Sequence, residues 1–203
     1  MCSSDLGVAD AEDGLQTIVQ SAGDGQSASE ILPVIGDGRY RLDRLLGEGA
    51  FGQVYLGWDT SLQRAVAIKV PSPGRFGSRA EQETYLAEAR MAAQLDHPNA
   101  VTVYDAGRTL SGGVYVVSQF IDGRTLADRI QEQGCVPALE MADYLDQLAA
   151  VLDAAHALGI VHRNIKPRNV MIAFDAEGRP VVKLMGFGVA KVPASAKIGR
   201  AHV

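Results

Sequence analysis

Cysteine is nearly absent: in 203 residues only Cys2 and Cys135 carry a thiol, and they lie far apart. Such a pair supplies neither a disulfide framework nor the paired spacing of a thiolate metal site, and it fits a reducing compartment. Histidine is as scarce, and His97, His156, His162 and His202 share no ligand spacing. Long apolar runs are missing too. The best candidate, ending at Leu158, is interrupted by Asp153 and His156, so no membrane-crossing helix is expected. The amino terminus has no basic and apolar stretch of the secretory kind. A cytoplasmic location is expected, with a membrane anchor left open for a longer parent protein. Positive charge is not in excess. The net charge of −5 argues against a nucleic-acid partner, because phosphate backbones are held by concentrated Lys and Arg. Aromatic residues are absent from residues 1–38, where Gly, Ser, Asp and Glu dominate. That composition predicts a flexible leader over 1–38.

The remainder is rich enough in apolar residues, 47% over the whole chain, to build a core. From Tyr40 to Val70 the β-branched and aromatic residues, punctuated by turns, predict an antiparallel meander of three strands. Pro71 and Pro73 break it. Arg79 to Leu95 then carries Tyr85, Leu86, Ala89, Ala92 and Leu95 at helical spacing. Two strands are predicted at 101–106 and 114–121, around Gly112-Gly113. A second long helix is predicted from Ala138 to Leu158, with Met141, Leu145, Leu148, Leu152 and Ala155 on its buried face and Gly159 as its stop. Short strands at 170–173 and 181–184 complete the pattern. A mostly β unit with one helix is thus followed by a mostly helical unit.

Gly47-Glu48-Gly49-Ala50-Phe51-Gly52-Gln53-Val54 places three glycines in a strand-to-strand turn. Glycines let a backbone approach phosphates where a side chain would clash. Alone the pattern is weak, and a plain hairpin turn satisfies it equally. A dinucleotide-binding reading fails, because a strand rather than a helix follows. One hairpin downstream, Val66-Ala67-Ile68-Lys69 sets a lysine among apolar neighbours. Glu88 in the next helix is its natural partner, with Glu81 and Glu83 as rivals. After the second helix comes His162-Arg163-Asn164-Ile165-Lys166-Pro167-Arg168-Asn169, and then Met185-Gly186-Phe187-Gly188.

These segments, in this order and on these elements, resemble the protein-kinase family in its bacterial-type Ser/Thr branch, from about Tyr40 to Lys191. Leu95-Asp96-His97-Pro98-Asn99 and Gln119-Phe120-Ile121-Asp122-Gly123 add to the likeness. The resemblance implies an α+β, two-lobed fold. A β-rich N-lobe would span 39–121 and an incomplete, mostly helical C-lobe 122–191, with a tail at 192–203. It implies ATP and magnesium as cofactors, nucleotide and an unidentified protein as partners, and phosphoryl transfer to Ser or Thr as the family reaction. Leu46, Val54, Ala67 and Met171 would enclose adenine. Gln119 and Ile121 would offer backbone groups to its edge, and Ser118 would be the gatekeeper. Gly47, Gly49 and Gly52 would cover the phosphates. Lys69, fixed by Glu88, would hold them. Lys166 would approach the transferred group, and Asn169 would hold one magnesium.

Two positions depart from the family pattern. Asn164 stands where the family has its base Asp, and Gly186 where it has its metal-binding Asp. Asn keeps the shape of Asp but cannot accept a proton, and Gly offers magnesium no ligand. Little or no phosphotransfer is expected. Each residue is one purine transition from an Asp codon, so natural loss and a changed sequence both stay open. The ends add a third departure. Cys2–Leu6 and Ile198–Ala201 can be encoded by reverse-complementary stretches that resemble sequencing-adapter sequence. Both termini are therefore expected to be foreign to a truncated gene. Three readings remain: a kinase whose parent gene is intact, a pseudokinase that binds nucleotide or a partner without phosphotransfer, and a fragment without function.

Overall fold

In the computed structural model, residues 34–49 and 51–187 are described. The expected leader before Val34, Ala50, and the segment from Gly188 through the tail at 192–203 lie outside the described residues. The strand-forming pattern yields β1 (Val34–Ile35), β2 (Tyr40–Gly49), β3 (Gly52–Asp59), β4 (Arg64–Pro71), β5 (Val103–Arg108) and β6 (Val114–Gln119). They form one antiparallel sheet in the order β1-β2-β3-β4-β6-β5. Strand β1 falls inside the stretch expected to be leader. Gly36, Asp37 and Gly38 all take positive φ, and Arg39 N donates to Gly36 O at 3.0 Å. This reverses the chain and pairs Val34–Ile35 with β2. Composition hid a pairing that two glycines make possible.

Helix α1 (Arg79–Ala92) starts at Ser78, whose hydroxyl accepts from Glu81 N, while the Glu81 carboxylate accepts from Gly77 N at 2.9 Å. Its predicted face is the buried one: Tyr85, Leu86, Ala89 and Ala92 pack inward, followed by Leu95. Each large apolar side chain so buried contributes roughly 1.5–3 kcal/mol. Part of the helix meets Val114 and Val116 of β6; Ala92 joins the second core.

The second half opens with β7 (Arg124–Thr125) and α2 (Leu126–Gln133), neither of which the hydrophobic pattern foretold. Helix α2 rests on local chemistry: Thr125 and Asp128 form a reciprocal capping box, and Gly134 at φ +76 ends it. Helix α3 (Ala138–Ala157) buries Tyr144, Leu148, Val151 and Ala155. The expected face is thereby corrected by a small rotation: Leu145 is 56% exposed. The helix carries two apolar stripes, and the one holding Tyr144 and Val151 fills the core. A short 3-10 turn at Pro167–Asn169 leads into β8 (Val170–Phe174) and β9 (Pro180–Leu184), which pair with β7 in the order β7-β8-β9.

The two halves are joined at Asn99. Its Nδ2 donates to Gln147 Oε1 of α3 and to Val182 O of β9, both at 2.8 Å. Its carbonyl accepts from Leu184 N at 2.7 Å, and Val101 N donates to Leu184 O at 3.0 Å. Ala92, Leu95 and Ala100 belong to the same buried cluster as α3, β8 and β9. The two halves are thus packed on one shared core.

Candidate functional site

The glycine-rich segment is the β2–β3 hairpin: Gly47 pairs with Val54, Glu48 with Gln53 and Gly49 with Gly52. Leu46 is the extra residue in an irregularity between Leu45 and Gly47. Gly52 takes φ +130, and a Cβ there would overlap the Val70 carbonyl oxygen and Pro71 Cα. Only glycine lets β4 run this close. The register then sets Lys69 beside Val54 on one side and Val116 on the other, and Ala67 opposite Ser118. The Ser118 hydroxyl lies 3.5 Å from Ala67 O, a weak bond. Gln119 N donates to Thr102 O at 2.8 Å, and its side-chain Oε1 is buried without a partner. Ile121 follows β6, and Met171 is contributed by β8. Leu46, Val54, Ala67, Ser118, Gln119, Ile121 and Met171 are all half-buried. The three central strands thus bring Val54, Ala67, Lys69 and Ser118 side by side.

The expected lysine–glutamate pair is not formed. Glu88 lies 3.6 Å from the guanidinium of Arg163, in the catalytic-loop segment, and Lys69 meets no carboxylate at ion-pair distance among the described residues. Both rivals are engaged elsewhere: Glu81 caps α1, and Glu83 pairs with Arg108 at 2.7 Å. Burial pushes the Glu88 carboxyl up, and Arg163 opposes that. Burial pushes the Lys69 ammonium down, with nearby Arg75 acting in the same direction. The Lys69 Nζ lies 5.7 Å from the centroid of the Phe51 ring at the hairpin tip, and the Arg75 guanidinium carbon lies 5.0 Å from it.

His162 organises the opposite wall. It is 2% exposed, with Nε2 2.8 Å from Met185 O and Nδ1 accepting from Asn164 N at 3.2 Å. Both contacts are satisfied by the neutral ring protonated on Nε2, and burial pushes its pKa down. Phe187 packs edge-on against it at 4.8 Å. Arg163 takes φ +64, a costly conformation for a long side chain. Asn169 Nδ2 donates to Asn164 O at 2.7 Å, and Met185 N donates to Asn169 O at 2.8 Å. Asn164, Asn169 and the Met185–Gly186 step are therefore stitched together, with half-buried Lys166 between the first two in sequence. Gly186 is exposed at φ +85, and a Cβ on it would meet nothing within 4 Å.

For magnesium this donor set is poor. Asn169 offers an amide oxygen, Asn164 and Gly186 offer no carboxylate, and no His, Cys, Asp and Glu cluster fit for a metal occurs among the described residues. Magnesium wants oxygen ligands, carboxylates foremost. For an anion the set is better suited, since neither Lys69 nor Arg75 has a carboxylate at ion-pair distance among the described residues. The roles of Arg75, Arg163 and Asn99 were not legible beforehand, since none stands at a spacing that marks its partner.

Residues 40–199 match the family model described as protein kinase domain. The chain is 37% identical over 175 residues to the serine/threonine-protein kinase PksC of Streptomyces coelicolor, which covers 83% of this chain and 30% of that protein. It is 37% identical over 166 residues to PknA of Mycobacterium tuberculosis, covering 79% of this chain and 37% of that one. Among solved structures, the Mycobacterium tuberculosis PknI kinase domain superposes with a TM-score of 0.69 at 27% identity, covering 82% of this chain and 65% of that chain. The chain spans roughly a third of these two curated relatives and just under two thirds of the solved domain. No helix among the described residues is long and apolar enough to cross a membrane.

Proposed function

The chain belongs to the protein-kinase domain family of bacterial Ser/Thr type, and from that premise we propose that it binds ATP in the cleft between its two halves while transferring phosphate poorly or not at all. Leu46, Val54, Ala67 and Met171 enclose the adenine, and backbone groups of Gln119 and Ile121 meet its edge beside the gatekeeper Ser118. The 47–52 hairpin and Lys69 take the phosphates, with Lys166 near the terminal one. The N-lobe then corresponds to 39–121 and the partial C-lobe to 122–191.

The observation that carries this reading is the pairing of an unneutralised Lys69 with a carboxylate-free site at Asn164 and Gly186. Family catalysis is mostly positioning and charge neutralisation. General-base assistance is worth about 10²–10⁴-fold, and the bridging metal neutralises charge that Gly186 cannot help to hold. The two losses need not multiply, because groups acting as a unit are non-additive. When bound, magnesium supplies that neutralisation, and Asn169 is the residue left to hold it.

A second reading, an active parent kinase with Asp at both positions, is favoured by the open space and left-handed backbone at Gly186, a conformation Asp tolerates better than most residues. The test of binding is a thermal-shift titration with ATP, in magnesium and in a chelator. A saturable rise of similar size in both is expected. A rise that needs magnesium contradicts the metal-poor site, and no rise at all contradicts nucleotide binding.

A further inference from the structure

The phosphate end of the cleft holds a second cation that the family pattern does not call for. Pro71, Pro73 and Gly74 turn the chain sharply after β4; Gly74 has φ +76, and Arg75 N donates to Ser72 O at 3.0 Å. The turn carries Arg75 back to the tip of the glycine-rich hairpin. There its guanidinium carbon sits 5.0 Å from the Phe51 ring centroid, and the Lys69 ammonium shares the same ring at 5.7 Å. Both cations are half-buried. Neither has a carboxylate at ion-pair distance among the described residues, since Glu88 is held by Arg163 and Glu83 by Arg108.

We propose that Arg75 and Lys69 together form a metal-independent clamp for the phosphates of a nucleoside triphosphate, with Arg75 supplying positive charge that a magnesium ion would otherwise bring. This rests on the nucleotide-binding reading above and extends it to a residue outside the family's phosphate contacts. The charge arithmetic supports it. A lysine and an arginine carry two positive charges, the same as one divalent cation. Gly186 contributes no negative charge that would have to be offset. Two like charges drawn together in a half-desolvated place are costly until an anion arrives. The aromatic face of Phe51 gives them a cation–π platform in the meantime. Burial pushes the Lys69 ammonium down, and nearby Arg75 adds to that in the same direction. A guanidinium also offers a planar fork that matches two phosphate oxygens at once.

The experiment is calorimetric titration of the whole chain with ATP, ADP, AMP and adenosine in excess chelator and again in magnesium. Arg75→Ala and Arg75→Lys are compared with the unaltered chain. Arg75→Ala is expected to weaken ATP binding in chelator roughly ten- to hundred-fold, the range for a lost hydrogen bond to a charged group. Adenosine affinity should stay within about twofold, as expected for a ligand with no phosphate for the clamp to grip. Arg75→Lys, which keeps the charge but not the planar fork, should recover part of the loss. The clamp is overturned if Arg75→Ala binds ATP normally in chelator. It is equally overturned if adenosine is lost in parallel, which marks a structural role. Failure of the unaltered chain to bind any of the four ligands instead overturns the nucleotide reading beneath it.

Discussion

At the residue scale, the proposed nucleotide site can be probed for metal binding by restoring a carboxylate at position 186. Gly186 stands at φ +85 with nothing within 4 Å of a projected Cβ. The Cβ of Gly186→Asp therefore meets no neighbour, and the left-handed backbone costs roughly 1–2 kcal/mol. The expected outcome is a variant that melts within a few degrees of the parent and binds ATP more tightly in magnesium or manganese than in chelator. Calorimetry in the two buffers checks this; identical affinities would show that position 186 does not face the metal. Asn164 and Gly186 were legible in the sequence because they interrupt motifs whose other letters are intact. The partner of Glu88 was not. Likeness to the family pattern singles out Glu88 among the acids of the helix, but the choice between Lys69 and Arg163 is made by where the whole helix sits. Arg75 gave no signal, because an arginine in a proline-bounded turn looks like any solvated charge until the hairpin tip is folded over it.

At the scale of elements, α1 was readable to its individual buried residues, because its apolar stripe is narrow and its other faces are charged. Helix α3 was readable in extent but not in rotation, because Leu145 and Tyr144 mark two adjoining stripes. Helix α2, at eight residues, is too short for periodicity to stand out, and its Thr125–Asp128 capping box was the usable clue. The element that fixes the two halves is the Asn99 turn. Asn99→Ala removes both bonds donated by Asn99 Nδ2, taking a donor from Val182 O and leaving Gln147 Oε1 with Val182 N as its remaining donor. The expected cost is about 2 kcal/mol, which lowers the melting midpoint by about 4–8 °C in a chain of this size. Differential scanning calorimetry checks it, and an unchanged midpoint would mean that the backbone bonds of this turn and apolar packing suffice to hold the halves.

At the scale of the whole molecule, the two-lobed plan came from the family resemblance that the motifs carry, while the edge pairing by β1 and the second small sheet came from turns rather than from pattern. Stability of the whole should also report on one buried imidazole. Burial holds the His162 pKa below its ordinary 6.5, so the unfolded chain binds the proton more readily. Its contribution is complete above pH 6.5 and is lost as pH falls through that value toward the folded pKa. Glu88, raised above 4.5 by burial, acts with the opposite sign at lower pH. Denaturant unfolding at pH 7.5 and 5.5 should show lower stability at the acid end, and His162→Gln should flatten the difference; a slope unchanged in that variant assigns the effect elsewhere. The contact between Glu88 and Arg163 reaches from α1 of the first half to the His162–Asn169 segment of the second. It is a strut of opposite charges between two units that otherwise share an apolar core. With Arg163 56% exposed, dissolved salt screens that strut, so the electrostatic part of the hold between the halves weakens as ionic strength rises.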